Sequence, residues 1–151
     1  MSDEPDAGRL VGREHRLPVR VYYEDTDFTG VVYHANYARY FERGRSDFLR
    51  LAGIGHRELL GRPDPAAFVV TRLAIDFLKA AGIDDALVVH TTYDTVRGPR
   101  MWITQRLTRE DEVIATAQVE AACIRPDGRP RRPPPELLQS LNRLLLPARA
   151  P

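Results

Sequence analysis

Apolar positions along the chain repeat with two different periods. Between Leu17 and Tyr23, Val19, Val21 and Tyr23 alternate with Arg20 and Tyr22, the period-2 pattern of a half-buried strand. Glu24 to Gly30 breaks that pattern, and Gly30 supplies a position where the backbone can take a positive φ. From about Asn36 to Ala52 the period lengthens: Tyr33, Tyr37, Tyr40, Phe41, Gly44, Phe48 and Leu51 fall three or four apart, which predicts one buried helical face. Arg39, Glu42, Arg43, Asp47 and Arg50 occupy the opposite face. Gly44 sits on the apolar face, where alanine would serve the helix better, and this predicts a close approach of the helix to a sheet. Gly53 and Gly55 end the helix.

Beyond a polar segment, His56 to Pro65, with a short helical turn over Glu58 to Leu60, the chain turns to strands. Phe68 to Leu73 and Ala74 to Leu78 read as one long bent strand. Ala86 to Val96, Met101 to Arg109 and Glu112 to Ile124 follow, each alternating or β-branched. Gly98-Pro99 and Glu110-Asp111 stand where hairpin turns belong, so these three form an antiparallel meander. Pro126 to Pro135 cannot continue a sheet, and Glu136 to Leu146 predicts a short amphipathic helix with Leu137, Leu138, Leu141 and Leu144 or Leu145 on one face. The order gives an α+β fold, one antiparallel sheet of about five or six strands with a long helix packed on one face. Residues 1–14 are expected as a flexible arm, 15–125 as the domain, and 126–151 as a Pro/Arg connector with its helix.

Composition narrows the functional classes. The 151 residues suit one domain with one core. The net charge of +1 with interspersed signs lacks the basic footprint of a nucleic-acid binder; the arginines between Arg125 and Arg132 read as a solvated connector. Cys123 is the single cysteine, which excludes an internal disulfide and suits a reducing compartment. The opening residues carry no apolar h-region, and no apolar run approaches the roughly 20 residues that span a bilayer. The expectation is a soluble cytoplasmic protein, without membrane insertion.

The chemistry concentrates between Tyr23 and Tyr37. As continuations of a strand, Asp25 and Asp27 would point to one side and Glu24 to the other. A carboxylate at a helix entrance also meets backbone N–H groups that have no intrahelical partner and that can hold a developing oxyanion. One acid with one set of amide donors is a minimum kit for attack on a carbonyl carbon. No GxSxG elbow, P-loop or GxGxxG occurs, and a metal reading of Asp25, Asp27 and His34 lacks a fourth ligand at recognisable spacing. His15, His56 and His90 stand in no motif and read as structural or exposed.

The run YYEDTDFTGVVYHANYARYFERGRSDFLR resembles the hotdog-fold acyl-CoA thioesterases. The resemblance is to the 4-hydroxybenzoyl-CoA thioesterase branch and, within it, the group associated with the Tol–Pal cell-envelope system. It is continuous from about Arg20 to Arg50, and the strand order extends it over about residues 17 to 124.

The resemblance implies a sheet wrapped around a long central helix. It implies that Asp27 is the catalytic carboxylate and that the backbone N–H at His34 meets the thioester carbonyl. Tyr23, Asp25, Gly30, Val31, Asn36 and Tyr37 would shape the substrate pocket. It further implies an acyl-CoA substrate, no metal or organic cofactor, dimers pairing into tetramers with sites at the dimer interface, and a peripheral link to envelope proteins. One departure stands out: IDFLKAAGIDD lacks the proline that the family tends to show after its paired strands, which leaves the acyl-pocket rim open. Asp27 as nucleophile and Asp27 as general base remain alternatives. A non-catalytic acyl-binding or envelope-assembly module, or a hotdog enzyme acting on acyl carrier protein thioesters, is the alternative to acyl-CoA hydrolysis.

Overall fold

Arg9–Val11 (β1) and Glu14–Arg20 (β2) open the computed structural model, which describes residues 3–5 and 7–144. A 3-10 turn over Tyr23–Asp25 leads to the long helix α1, His34–Leu51, and to the short α2, His56–Leu60. Four strands follow: β3 (Ala67–Phe77), β4 (Ala86–Arg97), β5 (Arg100–Arg109) and β6 (Glu112–Ile124). Pro135–Asn142 forms α3. Leu145 and Leu146, the predicted end of that helix, lie outside the described residues.

The strands make one antiparallel sheet in the order β1-β2-β4-β5-β6-β3, with β4, β5 and β6 as the expected meander. Register shifts at Val70/Arg72, Tyr93/Thr95 and Leu107/Thr108 bend it, since an extra residue on one strand deepens the local twist. Helix α1 packs on β4, β2 and β5. Leu87, Val89, Thr91 and Tyr93 of β4 are buried with Met101, Ile103, Gln105 and Leu107 of β5, the alternation of strands with one covered face. This is the hotdog arrangement, a sheet curved around a central helix.

Gly44 makes the expected close approach. A Cβ there would lie 2.6 Å from Val89 Cγ1 and 2.8 Å from Thr91 Oγ1. Beside it, Gln105 Nε2 donates to the Phe41 carbonyl at 2.8 Å and to Thr91 Oγ1 at 2.9 Å, so the polar groups in this contact are paired, as burial requires.

Some expectations fail for identifiable reasons. Residues 9–11, assigned to a loose arm, form β1 across a turn at Gly12, where φ is +63°; three residues are too few to show alternation. The strand ends at Arg20, and Tyr23 belongs to the 3-10 turn. Tyr33 and Leu51 are exposed, because the buried face of α1 follows Tyr37, Tyr40, Phe41, Gly44 and Phe48.

Asp47, placed on the solvent face, is buried. Its Oδ2 accepts from His15 Nε2 at 2.7 Å and from the Gly8 amide at 2.8 Å, and its Oδ1 from Arg50 at 2.8 Å. A carboxylate that gathers three donors is stable inside a protein. It also ties the N-terminal segment to α1.

That pairing makes stability depend on pH. Because the carboxylate only accepts, Nε2 of His15 carries the proton, and the buried Nδ1 has no hydrogen-bond partner among the described residues. Burial lowers the pKa of His15 against the opposing pull of Asp47, and burial likewise lowers that of His90. The unfolded chain therefore takes protons below about pH 6.5 that the folded rings refuse, and stability falls as the pH drops from there.

Glu14 adds a loss at lower pH. Burial raises its carboxyl, but hydrogen bonds from Arg106, His90 and Arg16 outweigh this and bring it to about 2. Its contribution is complete above about pH 4.5 and declines toward pH 2. Urea midpoints between pH 8 and 4 should show the first decline, and His15→Gln should flatten it. An unchanged slope in that variant would count against the assignment.

Candidate active site

Between β2 and α1 the chain folds into a braced elbow. Asp25 Oδ2 accepts from the Tyr22 amide at 2.8 Å and Oδ1 from Asn36 Nδ2 at 2.9 Å, while the Asp25 carbonyl accepts from the Tyr33 amide at 2.9 Å. One buried residue thus joins the 3-10 turn, the strand end and the first turn of α1. The 3-10 turn also breaks the alternation expected of a strand. Asp25 points inward, whereas Asp27 sits on the rim, so the two acids do not share a side.

Thr26 bridges Val32, and the Asp27 amide donates to the Val31 carbonyl at 2.9 Å. These contacts fold Asp27 back along the two residues that precede the helix entrance. Gly30, with φ of +87° and its amide on the Asp27 carbonyl at 3.1 Å, makes the reversal. Val31 bridges Gly82, and the Val32 amide donates to the Ala81 carbonyl at 2.8 Å, anchoring the loop to the segment before β4.

Thr29 holds the Asp27 carboxylate. Oδ1 accepts from the Thr29 hydroxyl at 2.5 Å and the Thr29 amide at 2.8 Å. These bonds, the hydroxyl first, lower its pKa and keep it ionised. Asp27 makes no ion pair among the described residues, and the Val31 amide also helps to lower its pKa.

At the helix entrance, Tyr33 provides no side-chain cap and the first turn has no acid. Asn36 donates its amide to the Tyr33 carbonyl at 2.8 Å. Among the described residues the amides of His34 and Ala35 find no backbone acceptor, as geometry dictates for the first turn of an uncapped helix. The His34 ring is exposed against Tyr33, their centroids 4.4 Å apart. The elbow therefore offers an ionised oxygen, unpaired amides and a helix dipole whose positive end favours negative charge.

The family model described as the thioesterase-like superfamily matches residues 21–141. The chain belongs to that superfamily. The chain is 47% identical over 108 residues to the acyl-CoA thioesterase YbgC of Haemophilus influenzae, covering 72% of this chain and 79% of that protein. It is 38% identical over 112 residues to the acyl-CoA thioester hydrolase YbgC of Escherichia coli, covering 74% and 82%. Among solved structures, a probable thioesterase from Bartonella henselae superposes with a TM-score of 0.78 at 41% identity, covering 80% of this chain and 99% of that one. A hypothetical protein from Thermus thermophilus reaches 0.81 at 28% identity, covering 88% and 98%.

Within this thioesterase-like domain the predicted site residues separate into two groups. Asp27, Gly30, Val31, His34 and Tyr23 lie on the outer side of the elbow, Tyr23 with 83% of its surface exposed. Asp25, Asn36 and Tyr37 are buried braces. The Tyr37 hydroxyl accepts from the Ala81 amide at 3.2 Å, and its ring meets Phe77 edge-on at 5.1 Å. Among the described residues no cluster of three or more His, Cys, Asp or Glu could hold a metal, and no helix is long and apolar enough to cross a membrane.

Removing the brace should show in stability. Asp25→Ala leaves the Tyr22 amide and the Asn36 side chain without their acceptor, at a cost of about 1–3 kcal/mol for each buried group left unpaired. Chemical denaturation would measure this, and a change below about 0.5 kcal/mol would contradict the bracing role.

Sequence reasoning missed a cavity of about 120 Å³ between α1, α2 and the start of β3. Arg45, Ser46 and His56 line it with apolar side chains from the sheet. Glu42, Ser46 and Leu49 do recur at helical spacing, but residues that converge from six separate elements leave no contiguous motif.

Proposed function

We propose that the protein hydrolyses acyl-CoA thioesters to the free acid and CoA, with Asp27 as nucleophile or general base and the amides at His34 as oxyanion donors. The observation that carries this reading is the Asp27 carboxylate, fixed by Thr29 and kept ionised, in a loop that ends at an uncapped helix entrance. The identity to relatives named as acyl-CoA thioesterases supports the substrate class.

The chemistry asks little more of the site. A thiolate of pKa about 8.5 leaves without prior protonation, so the enzyme must supply an oxygen nucleophile and donors for the carbonyl oxygen. Tyr23, Gly30 and Val31 flank the approach to Asp27.

The working unit is a homodimer through the free edge of β3, with pairing into a tetramer as a further step. β3 ends the sheet and exposes Val69, Val70, Leu73 and Phe77, an apolar strand edge of the kind that recruits another strand. Two identical edges related by a twofold axis meet antiparallel. The start of one β3, near the cavity, then faces the end of the other, near the elbow. Cytoplasmic location, membership of the Tol–Pal-associated group and a peripheral link to envelope proteins belong to the same proposal, on the strength of the resemblance from Arg20 to Arg50.

The test is thiol release from a panel of acyl-CoAs, followed with a thiol reagent. Release that depends on Asp27 supports hydrolysis, and tight binding without release would replace it with an acyl-binding module.

A further inference from the structure

We propose that Arg109, at the end of β5, is a positioning residue for Asp27: it clamps the segment 79–85 from which the elbow hangs. This rests on the thioesterase reading above and adds a remote support to that site.

The segment joins β3 to β4 and belongs to no helix or strand. It runs from Lys79 through Gly82 to Asp85 and holds no proline. A proline ring would fix a backbone angle, and a glycine frees one, so the segment's own backbone does little to set its course.

The elbow nevertheless depends on it. Val31 bridges Gly82, and the Val32 amide donates to the Ala81 carbonyl at 2.8 Å. The Ala81 amide donates to the Tyr37 hydroxyl at 3.2 Å, which ties the segment to α1. Val31 in turn carries Asp27. Its carbonyl accepts from the Asp27 amide at 2.9 Å, and its own amide helps to keep the carboxylate ionised. A displaced segment therefore displaces the carboxylate.

Arg109 supplies the hold. Its Nη1 donates to the Ala80 carbonyl at 3.0 Å and to Asp85 Oδ2 at 2.9 Å, so one nitrogen spans the segment. Its Nη2 donates to Glu112 Oε1 at 3.1 Å, across the β5–β6 turn. Asp85 Oδ2 also accepts from the Gly82 amide at 2.9 Å, which joins the clamp to the residue that bridges Val31. Lys79 Nζ adds a bond to Glu112 Oε2 at 2.8 Å.

An isolated surface ion pair holds little. Here one planar guanidinium serves three acceptors on two sides of a gap, and its fork fixes their directions as well as their distances. Among the described residues no hydrogen bond or ion pair joins Arg109 to Asp27 or His34. Its influence on the site passes through the segment.

The experiment measures kcat and KM for butanoyl-CoA and benzoyl-CoA by thiol release. It uses the full-length protein, Arg109→Gln, Arg109→Lys, Ala80→Pro and the double variant Arg109→Gln/Ala80→Pro, with thermal melting of each. Arg109→Gln should lower kcat about tenfold and leave KM within about twofold, because a misplacement of about 1 Å from a distant change can cost about a hundredfold. Arg109→Lys should fall between, since an ammonium is a point charge without the fork. A proline at position 80 restricts the backbone in place of the clamp, and the Ala80 amide has no backbone acceptor to lose among the described residues. Ala80→Pro should therefore keep the wild-type kcat when alone and restore most of the loss in the double variant.

A raised KM with kcat spared would make Arg109 a substrate contact instead. A lower melting temperature with kcat unchanged would make it a purely structural one. Either result, or a double variant no faster than Arg109→Gln, overturns the proposal while leaving hydrolysis intact. If Ala80→Pro alone lowers kcat, amide hydrogen exchange in Arg109→Gln decides. The Asp27 and Val32 amides should then exchange about tenfold faster while those in the middle of β4 keep their rates; unchanged exchange at both overturns the clamp. If the wild-type protein cleaves no thioester, the thioesterase reading fails, and the same exchange measurement tests the hold of Arg109 on the elbow.

Discussion

Asp27→Asn is expected to lower kcat at least a hundredfold, within the 10²–10⁴ range that a positioned acid or base contributes. The melting temperature should hardly move. The asparagine carbonyl can still accept from the Thr29 amide, as Oδ1 of Asp27 does at 2.8 Å. What disappears is the negative charge, and with it both the nucleophile and the base. Thiol release and thermal melting on the same preparation check the two halves of this expectation. Wild-type turnover in Asp27→Asn would remove Asp27 from the chemistry. His34→Ala should be milder, because the backbone N–H survives the loss of an exposed ring. Single-turnover hydrolysis in ¹⁸O water separates the two roles: label in Asp27 identifies a covalent anhydride, and its absence identifies activation of water.

Gly44→Leu should cause the largest loss of stability. At an exposed helical site, replacing glycine would gain up to about 1 kcal/mol of helix propensity. Here the new Cβ alone would lie 2.6 Å from Val89 Cγ1 and 2.8 Å from Thr91 Oγ1, and both residues are fully buried. Overpacking of this sort costs about 1–3 kcal/mol and occasionally more. The upper end applies, because leucine pushes three further carbons into a helix–sheet contact whose two nearest atoms belong to stiff β-branched side chains. A loss of about 3 kcal/mol would lower the melting temperature by roughly 6–12 °C in a domain of this size. An unchanged melting curve would show that the helix has room to move off the sheet.

The sequence made the frame of this fold legible where one period persists. The buried positions of β4, β5 and α1 repeat often enough to be read, and the turn at Gly98, with φ of +58°, falls where a glycine was expected to serve. Short or irregular pieces were not legible. β1 spans three residues, and the 3-10 turn at Tyr23–Asp25 reverses the side on which Asp25 would project. Asp47 looked like a solvent-face charge until its partners came from Gly8 and His15, distant in sequence. At the site, Asp27 and His34 could be named because they lie in one continuous run. The cavity beside Arg45 could not, because its wall is assembled from β3, β4, β5 and β6.

The two margins of the sheet are unequal. On one side a strand of three residues ends the array; on the other β3 offers eleven. A second copy that docks on β3 uses up the only long margin among the described residues, and leaves stubs too short to template another chain. In the proposed dimer, assembly through the backbone would be self-limiting, because no second long edge would remain for a fibre to grow from.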